Sequence, residues 1–78
     1  MLTSEQIRAA RALLDWKQEE LAKKAGIGLA TLQRLERGSG PLMAHVSTAV
    51  KIEGALRKGG IDFIERNDGG GVGVRITK

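Results

Sequence analysis

The chain has 78 residues, so we expect one domain with a small core, because a chain of this size buries only about 60% of its unfolded surface. It contains no cysteine, which excludes disulfides, thiolate chemistry and cysteine-rich zinc sites. A formal net charge of +4 favours an anionic partner such as nucleic acid. Neither a signal-peptide pattern nor an apolar run of membrane-spanning length is present, so we expect a cytoplasmic protein.

Two short helices are predicted first. Thr3 and Gln6 have the spacing of a capping box, and apolar residues then recur every three or four positions, which predicts a helix over residues 4–14. A second helix is predicted over residues 18–25, with acidic residues in its first turn and lysines in its last, the order that suits a helix dipole. Gly26 then ends this helix.

Two more helices follow. The third is predicted over about residues 29–37, with Leu32 and Leu35 buried and Gly38 after it in the C′ position. A glycine-rich and proline-containing linker leads to a fourth helix over about residues 42–58. Its predicted buried stripe consists of Val46, Ala49, Ile52 and Leu56.

After residue 60 the period of the apolar residues changes from 3.6 to 2. The stretches "IDFIER" and "VGVRIT" have the alternation of strands, and "NDGGG" between them predicts a turn. An isolated two-stranded hairpin is only marginally stable in water, so this one must pack on the helices or pair with another chain.

The second and third predicted helices, joined by a short turn that contains glycine, have the spacing of a helix-turn-helix, in which the second helix enters the DNA major groove. The run "QEELAKKAGIGLATLQRLERG" resembles the core of the lambda-repressor/Cro-like transcriptional regulators of the xenobiotic-response-element type, over about residues 4–57. The resemblance implies a mainly α domain of four or five helices that binds double-stranded DNA, with no cofactor and no reaction, and we expect four helices in this chain. We therefore assign residues 1–58 to the helix-turn-helix domain and residues 59–78 to a short C-terminal β-hairpin extension of the same domain.

The resemblance also implies roles for individual residues. Gln18 and Arg37 would contact phosphates, and Arg34 is the candidate for reading a guanine through its two-pronged guanidinium. Arg11 and Glu36 match an ion pair that joins the first and third helices. The positions that it places on DNA are Gln18, Leu29, Ala30, Gln33, Arg34 and Arg37.

Other chemistry finds little support in the sequence. Trp16 lies between two predicted helices and is interpreted as a lid on the core, and the single histidine, His45, as a surface or groove-edge residue without metal-ligand partners. Ser39 and Ser47 have no neighbouring base with an orienting carboxylate, so no catalytic site and no metal site are expected.

The most direct function is that of a small transcriptional regulator that binds paired half-sites as a homodimer. The exposed edge of the hairpin is one candidate dimer surface, on account of Ile61, Phe63, Val74 and Ile76. Two alternatives stay open: an antitoxin that grips a toxin and represses its own operon, and a protein-interaction module that keeps the fold without reading DNA.

Overall fold

The computed structural model describes residues 2–67 and 69–77. Within these residues the chain forms four helices and then a two-stranded antiparallel hairpin, which confirms the predicted fold class. Asp68, part of the predicted turn, lies outside the described residues. The elements are α1 (Ser4–Leu14), α2 (Gln18–Ala25), α3 (Leu29–Glu36), α4 (Val46–Lys58), β1 (Ile61–Ile64) and β2 (Gly73–Ile76).

The start of α1 is fixed by the capping box that the sequence predicts. The Gln6 amide donates to Oγ1 of Thr3 at 3.1 Å, and the Thr3 amide donates to Oε1 of Gln6 at 2.9 Å. Each residue therefore satisfies an amide of the other that the helix itself leaves without a partner. Both residues are buried, so the cap also belongs to the packed interior of the domain.

The segment between α3 and α4 is held against the start of α1. The Leu42 amide donates to the Leu2 carbonyl at 3.0 Å, and the Ser4 amide donates to the Gly40 carbonyl at 3.1 Å. The Gly40 amide in turn donates to the Glu5 carboxylate at 2.9 and 3.2 Å. These contacts between distant parts of the chain keep residues around 42 out of a helix.

The predicted start of α4 was therefore wrong by four residues. The predicted buried stripe of this helix was also wrong in part, because it included Val46. The helix begins at Val46, whose side chain is 79% exposed, whereas Ile52 and Leu56 are fully buried. Val46 lies six residues before Ile52, which at 100° per residue places it about 120° away around the helix. Ala55 takes the remaining buried position on this face.

The core lies where the four helices meet. Its fully buried large side chains come from every helix: Ile7, Leu21, Leu32, Ile52 and Leu56. Trp16 is partly buried and packs on this core, as predicted for a lid. The Lys24 ammonium lies 5.1 Å from the centre of the Trp16 ring, and Gly59, directly after α4, lies against the same ring.

The hairpin packs on the helices. In its register Ile61 pairs with Ile76 and Phe63 pairs with Val74. Ile61 is buried, and Phe63 and Val74 are partly buried against the core. The Gln6 side chain donates to the Gly73 carbonyl at 3.0 Å, so the capping residue of α1 also holds β2. Of the two ways to stabilise the hairpin, the chain uses the intramolecular one.

Replacement of Gly59 by alanine should destabilise the protein by about 1–3 kcal/mol, because the new methyl would lie 2.7 Å from Cη2 of Trp16 in a packed site. Gly54→Ala is the matched control: no atom lies within 4 Å of its added Cβ, so removal of a helical glycine should stabilise by about 0.5–1 kcal/mol. Urea unfolding of both variants at low micromolar protein measures the difference. Equal effects of the same sign would contradict the packing described for Trp16.

Acid should loosen the link between Glu5 and Gly40. Hydrogen bonds from its own amide and from the Gly40 amide lower the pKa of Glu5, and the Arg8 charge contributes in the same direction. A lowered pKa in the folded state gives stability that is present above the ordinary pKa of 4.5 and lost as pH falls through the lowered value. Glu5→Gln should therefore flatten the acid side of the stability profile, measured by thermal unfolding between about pH 3 and pH 7. An unchanged profile would contradict this role.

Candidate nucleic-acid interface

The turn between α2 and α3 sets the angle of α3 and depends on one glycine. Gly26 has φ of 71°, a left-handed conformation that side chains other than glycine rarely adopt. This conformation lets the Ile27 amide donate to the Ala22 carbonyl at 3.0 Å, which closes the end of α2. Gly28 is the N-cap of α3, and its carbonyl accepts from the Leu32 amide at 3.1 Å.

Helix α3 has one buried side and one exposed side. Leu32, Leu35 and Glu36 are buried. Leu29 is half-buried and packs on the core, so only part of it reaches the surface. The exposed residues are Ala30, Gln33, Arg34 and Arg37. Among the described residues, no hydrogen bond or ion pair engages the side chains of the last three.

A buried carboxylate holds this helix in place. Glu36 is only 3% exposed and accepts two hydrogen bonds from Arg11: from Nη2 at 2.7 Å and from Nε at 2.8 Å. Gln18, at the start of α2, donates to Oε1 of the same carboxylate at 3.3 Å. Arg11 also donates to the Trp16 carbonyl at 2.9 Å. One side chain of α3 thus contacts both α1 and α2, and the ion pair implied by the sequence resemblance is present.

A shallow polar groove lies on one side of α3. Helix α2 begins beside it at Gln18, after Lys17, which makes no side-chain cap. Arg8 uses its guanidinium to donate to the carbonyls of Glu36 and Gly38, so it braces the end of α3. The groove is lined by Arg8, Arg11, Gln18, Gln33, Glu36 and Arg37. The two residues that were expected to contact phosphates, Gln18 and Arg37, are far apart in the sequence, but both line this groove.

A second groove runs on the other side, between α3 and the segment that enters α4. Arg34 and Thr31 line it from α3, and Thr48 and His45 line it from the start of α4. Sequence reasoning missed the two threonines, because α4 was expected to begin earlier and its start was not placed beside α3. The signal available for Thr31 was its position three residues before Arg34, on the same side of the helix. His45 is exposed at the groove, as the sequence predicted.

Residues 2–67 and 69–77 contain neither a cluster of metal-ligating side chains nor a membrane-spanning helix. No group of three or more histidine, aspartate or glutamate side chains there is arranged to hold a metal ion. None of the helices in that part of the chain has the length and apolar content needed to cross a membrane.

Two helices joined by a short glycine turn, the second buried on one side and polar on the other, define a helix-turn-helix domain. The helix-turn-helix family model matches residues 7–63, more than half of the chain. The protein therefore belongs to this family, the lambda-repressor/Cro-like helix-turn-helix proteins, whose domain is a DNA-binding regulatory one. No curated protein matches the sequence.

Removal of the buried charge should destabilise the domain strongly. We expect Glu36→Gln to cost about 2–4 kcal/mol, because Arg11, only 21% exposed, loses its counter-ion. Asp62→Asn is the matched control, since Asp62 pairs with Arg75 at 2.9 Å on the surface, where an ion pair contributes at most about 1 kcal/mol. Urea unfolding of the two variants measures both costs. A similarly small loss of stability in both variants would show that the Arg11–Glu36 pair does not hold α1 and α3 together.

Proposed function

We propose that this protein is a sequence-specific double-stranded DNA-binding regulator that inserts α3 into the major groove. The proposal depends on one observation: the side of α3 that faces away from the core is exposed and mainly polar. Its polar side chains, Gln33, Arg34 and Arg37, are exposed and not engaged by other described residues. The opposite side of this eight-residue helix is anchored by Leu32, Leu35 and Glu36.

Base readout falls to the middle of this exposed side. Arg34 has a planar fork of donors that fits O6 and N7 of guanine, and Gln33 can pair with adenine through N6 and N7. Ala30 is small, so α3 can approach the groove floor closely, and its methyl suits a thymine methyl. Leu29 contributes less to readout, because part of its side chain packs on the core.

Phosphate contacts come from the two flanks of α3. On one flank, Gln18 and Arg37 line the shallow polar groove, where the first amides of α2 also attract an anion through the helix dipole. On the other flank, the hydroxyls of Thr31 and Thr48 can donate to a second phosphate. These contacts set the register of α3 on the duplex without reading sequence.

A single helix-turn-helix reads one short half-site, so we propose a homodimer on paired half-sites. Residues 1–58 supply the DNA contacts, and residues 59–78 extend the same domain. Ile61, Phe63 and Val74 are already used against the helices of their own chain, which leaves Ile76 as the exposed apolar side chain of the hairpin. The hairpin is therefore a weak candidate for the dimer surface.

Arg34→Ala should remove a preference for one base pair. Selection of bound sequences from random duplex DNA gives the preferred site, and fluorescence anisotropy gives the affinity. Loss of a bidentate contact should weaken binding to that site by about 1–3 kcal/mol and relax one position. An unchanged sequence preference would refute base readout by Arg34, and salt-independent binding would refute DNA binding as the function.

Arg37→Ala should behave differently, because a phosphate contact carries no sequence information. We expect weaker binding to every duplex by a similar factor, and a slope of log affinity against log salt that is smaller by about 1. Arg75→Ala is the control, since Arg75 is an exposed arginine of the hairpin that pairs with Asp62. A position-specific loss in Arg37→Ala would overturn the assignment.

A further inference from the structure

Three large apolar side chains lie exposed around the start of α4. Met43 is 84% exposed, Val46 79% and Val50 63%. Val46 and Val50 are four residues apart, so they lie on the same side of the helix, opposite its buried face. Clustered exposed apolar groups of this kind mark an interaction surface more often than scattered ones do.

Gly54 continues the same side of α4, four residues after Val50. Nothing inside the monomer explains a glycine here, because no atom lies within 4 Å of an added Cβ and φ is not positive. Glycine weakens a helix, but it allows another backbone or side chain to approach closely. We call Val46, Val50 and Gly54, which share one side of α4, the valine face.

The charges around the valine face do not favour a polyanion. Arg57, on the same side of α4, pairs with Glu53 at 3.1 Å and lies over the Phe63 ring, 5.0 Å from its centre. The residues of the valine face are uncharged, and the charge of Arg57 beside them is compensated by Glu53. A protein surface of matching shape is therefore the more suitable occupant.

We propose that the valine face joins two copies of this chain, with the two α4 helices antiparallel around a two-fold axis at Val50. In this register Val46 meets Gly54 of the other copy, so the bulky residue fills the space that the glycine leaves. Glu53 then lies level with the first turn of the other α4. The first turn of α4 has no acidic residue and no side-chain cap, so the positive end of the helix dipole there is not compensated within its own chain. The Glu53 carboxylate of the other copy would compensate it.

The dimer has a consequence for DNA binding, which rests on the proposed function. The valine face begins at Val46, three residues after Met43, and Met43 lines the groove beside Arg34. Association through this face would therefore bring the groove beside Arg34 in each copy close to the dimer interface. The self-association itself does not depend on DNA.

Sedimentation velocity without DNA, from low micromolar to several hundred micromolar protein, tests the dimer. The wild type should rise from a mass of 8.4 kDa to about twice that value. Val50→Asp should weaken association by about tenfold or more, whereas Ile76→Asp, on the hairpin, should leave it unchanged. A wild type that stays monomeric, or a dimer that responds to Ile76→Asp instead, overturns the proposal.

Gly54→Leu separates the interface from folding. At low micromolar concentration it should raise the melting temperature, because leucine favours a helix more than glycine does. At high concentration it should weaken association by about tenfold, because the leucine occupies the space for Val46 of the other copy. Unchanged or tighter association overturns the antiparallel register.

Arg34→Ala keeps the two proposals apart. It should associate like the wild type, while on DNA it should bind the preferred site more weakly and lose the preference at one base pair. A wild type that binds DNA with steep salt dependence but stays monomeric would sink the dimer alone. A dimer without DNA affinity would sink the regulator function and leave the valine face as a self-association surface.

Discussion

The carboxylate of Glu36 fixes how the first three helices meet. An unpaired charge at this depth would be strongly unfavourable, so the fold must supply donors in a set geometry. Arg11 supplies them from α1 as a two-pronged pair, and Gln18 adds an amide from α2. Because such a pair tolerates little rotation, it fixes which side of α3 faces the body and which faces outward. The proposed reading surface is thus set by an interaction that takes no part in reading.

The two ends of α3 are held by other parts of the chain. A helix of eight residues is unstable alone, and its first turn has no side-chain cap. At its end, Ser4 donates to the Leu35 carbonyl at 2.8 Å, and Arg8 donates to the Glu36 carbonyl. Side chains of α1 therefore satisfy the last carbonyls of α3, a role that a nearby capping residue has in other helices. Packing of Leu32 adds the apolar part, so α3 is presented to its partner already ordered.

A chain of this size has little interior, and the hairpin adds to the surface that it buries. The hairpin covers α1 and part of α4, and it is joined to the cap of α1 through Gln6 and Gly73. The proposed dimer would add to this buried surface, because a second copy would cover Val46 and Val50, which are exposed in the single chain. In the proposed dimer, stability and paired recognition of DNA come from the same contact.

Local sequence determined the bounds of α1 and α2, the turn at Gly26 and the order of helices and strands, because capping, helix periodicity and strand alternation act within a few residues. Helix periodicity also predicted which side of α3 is exposed, and the family resemblance added its contacts with DNA, which stay proposals. Tertiary structure alone decided that α4 starts at Val46, since a hydrogen bond from Leu42 to Leu2 keeps the preceding residues out of the helix. It also decided that Val46 is exposed and that Trp16 needs a glycine beside it. Contacts between distant residues leave no periodic signal along the chain, so they had to be read from the folded protein.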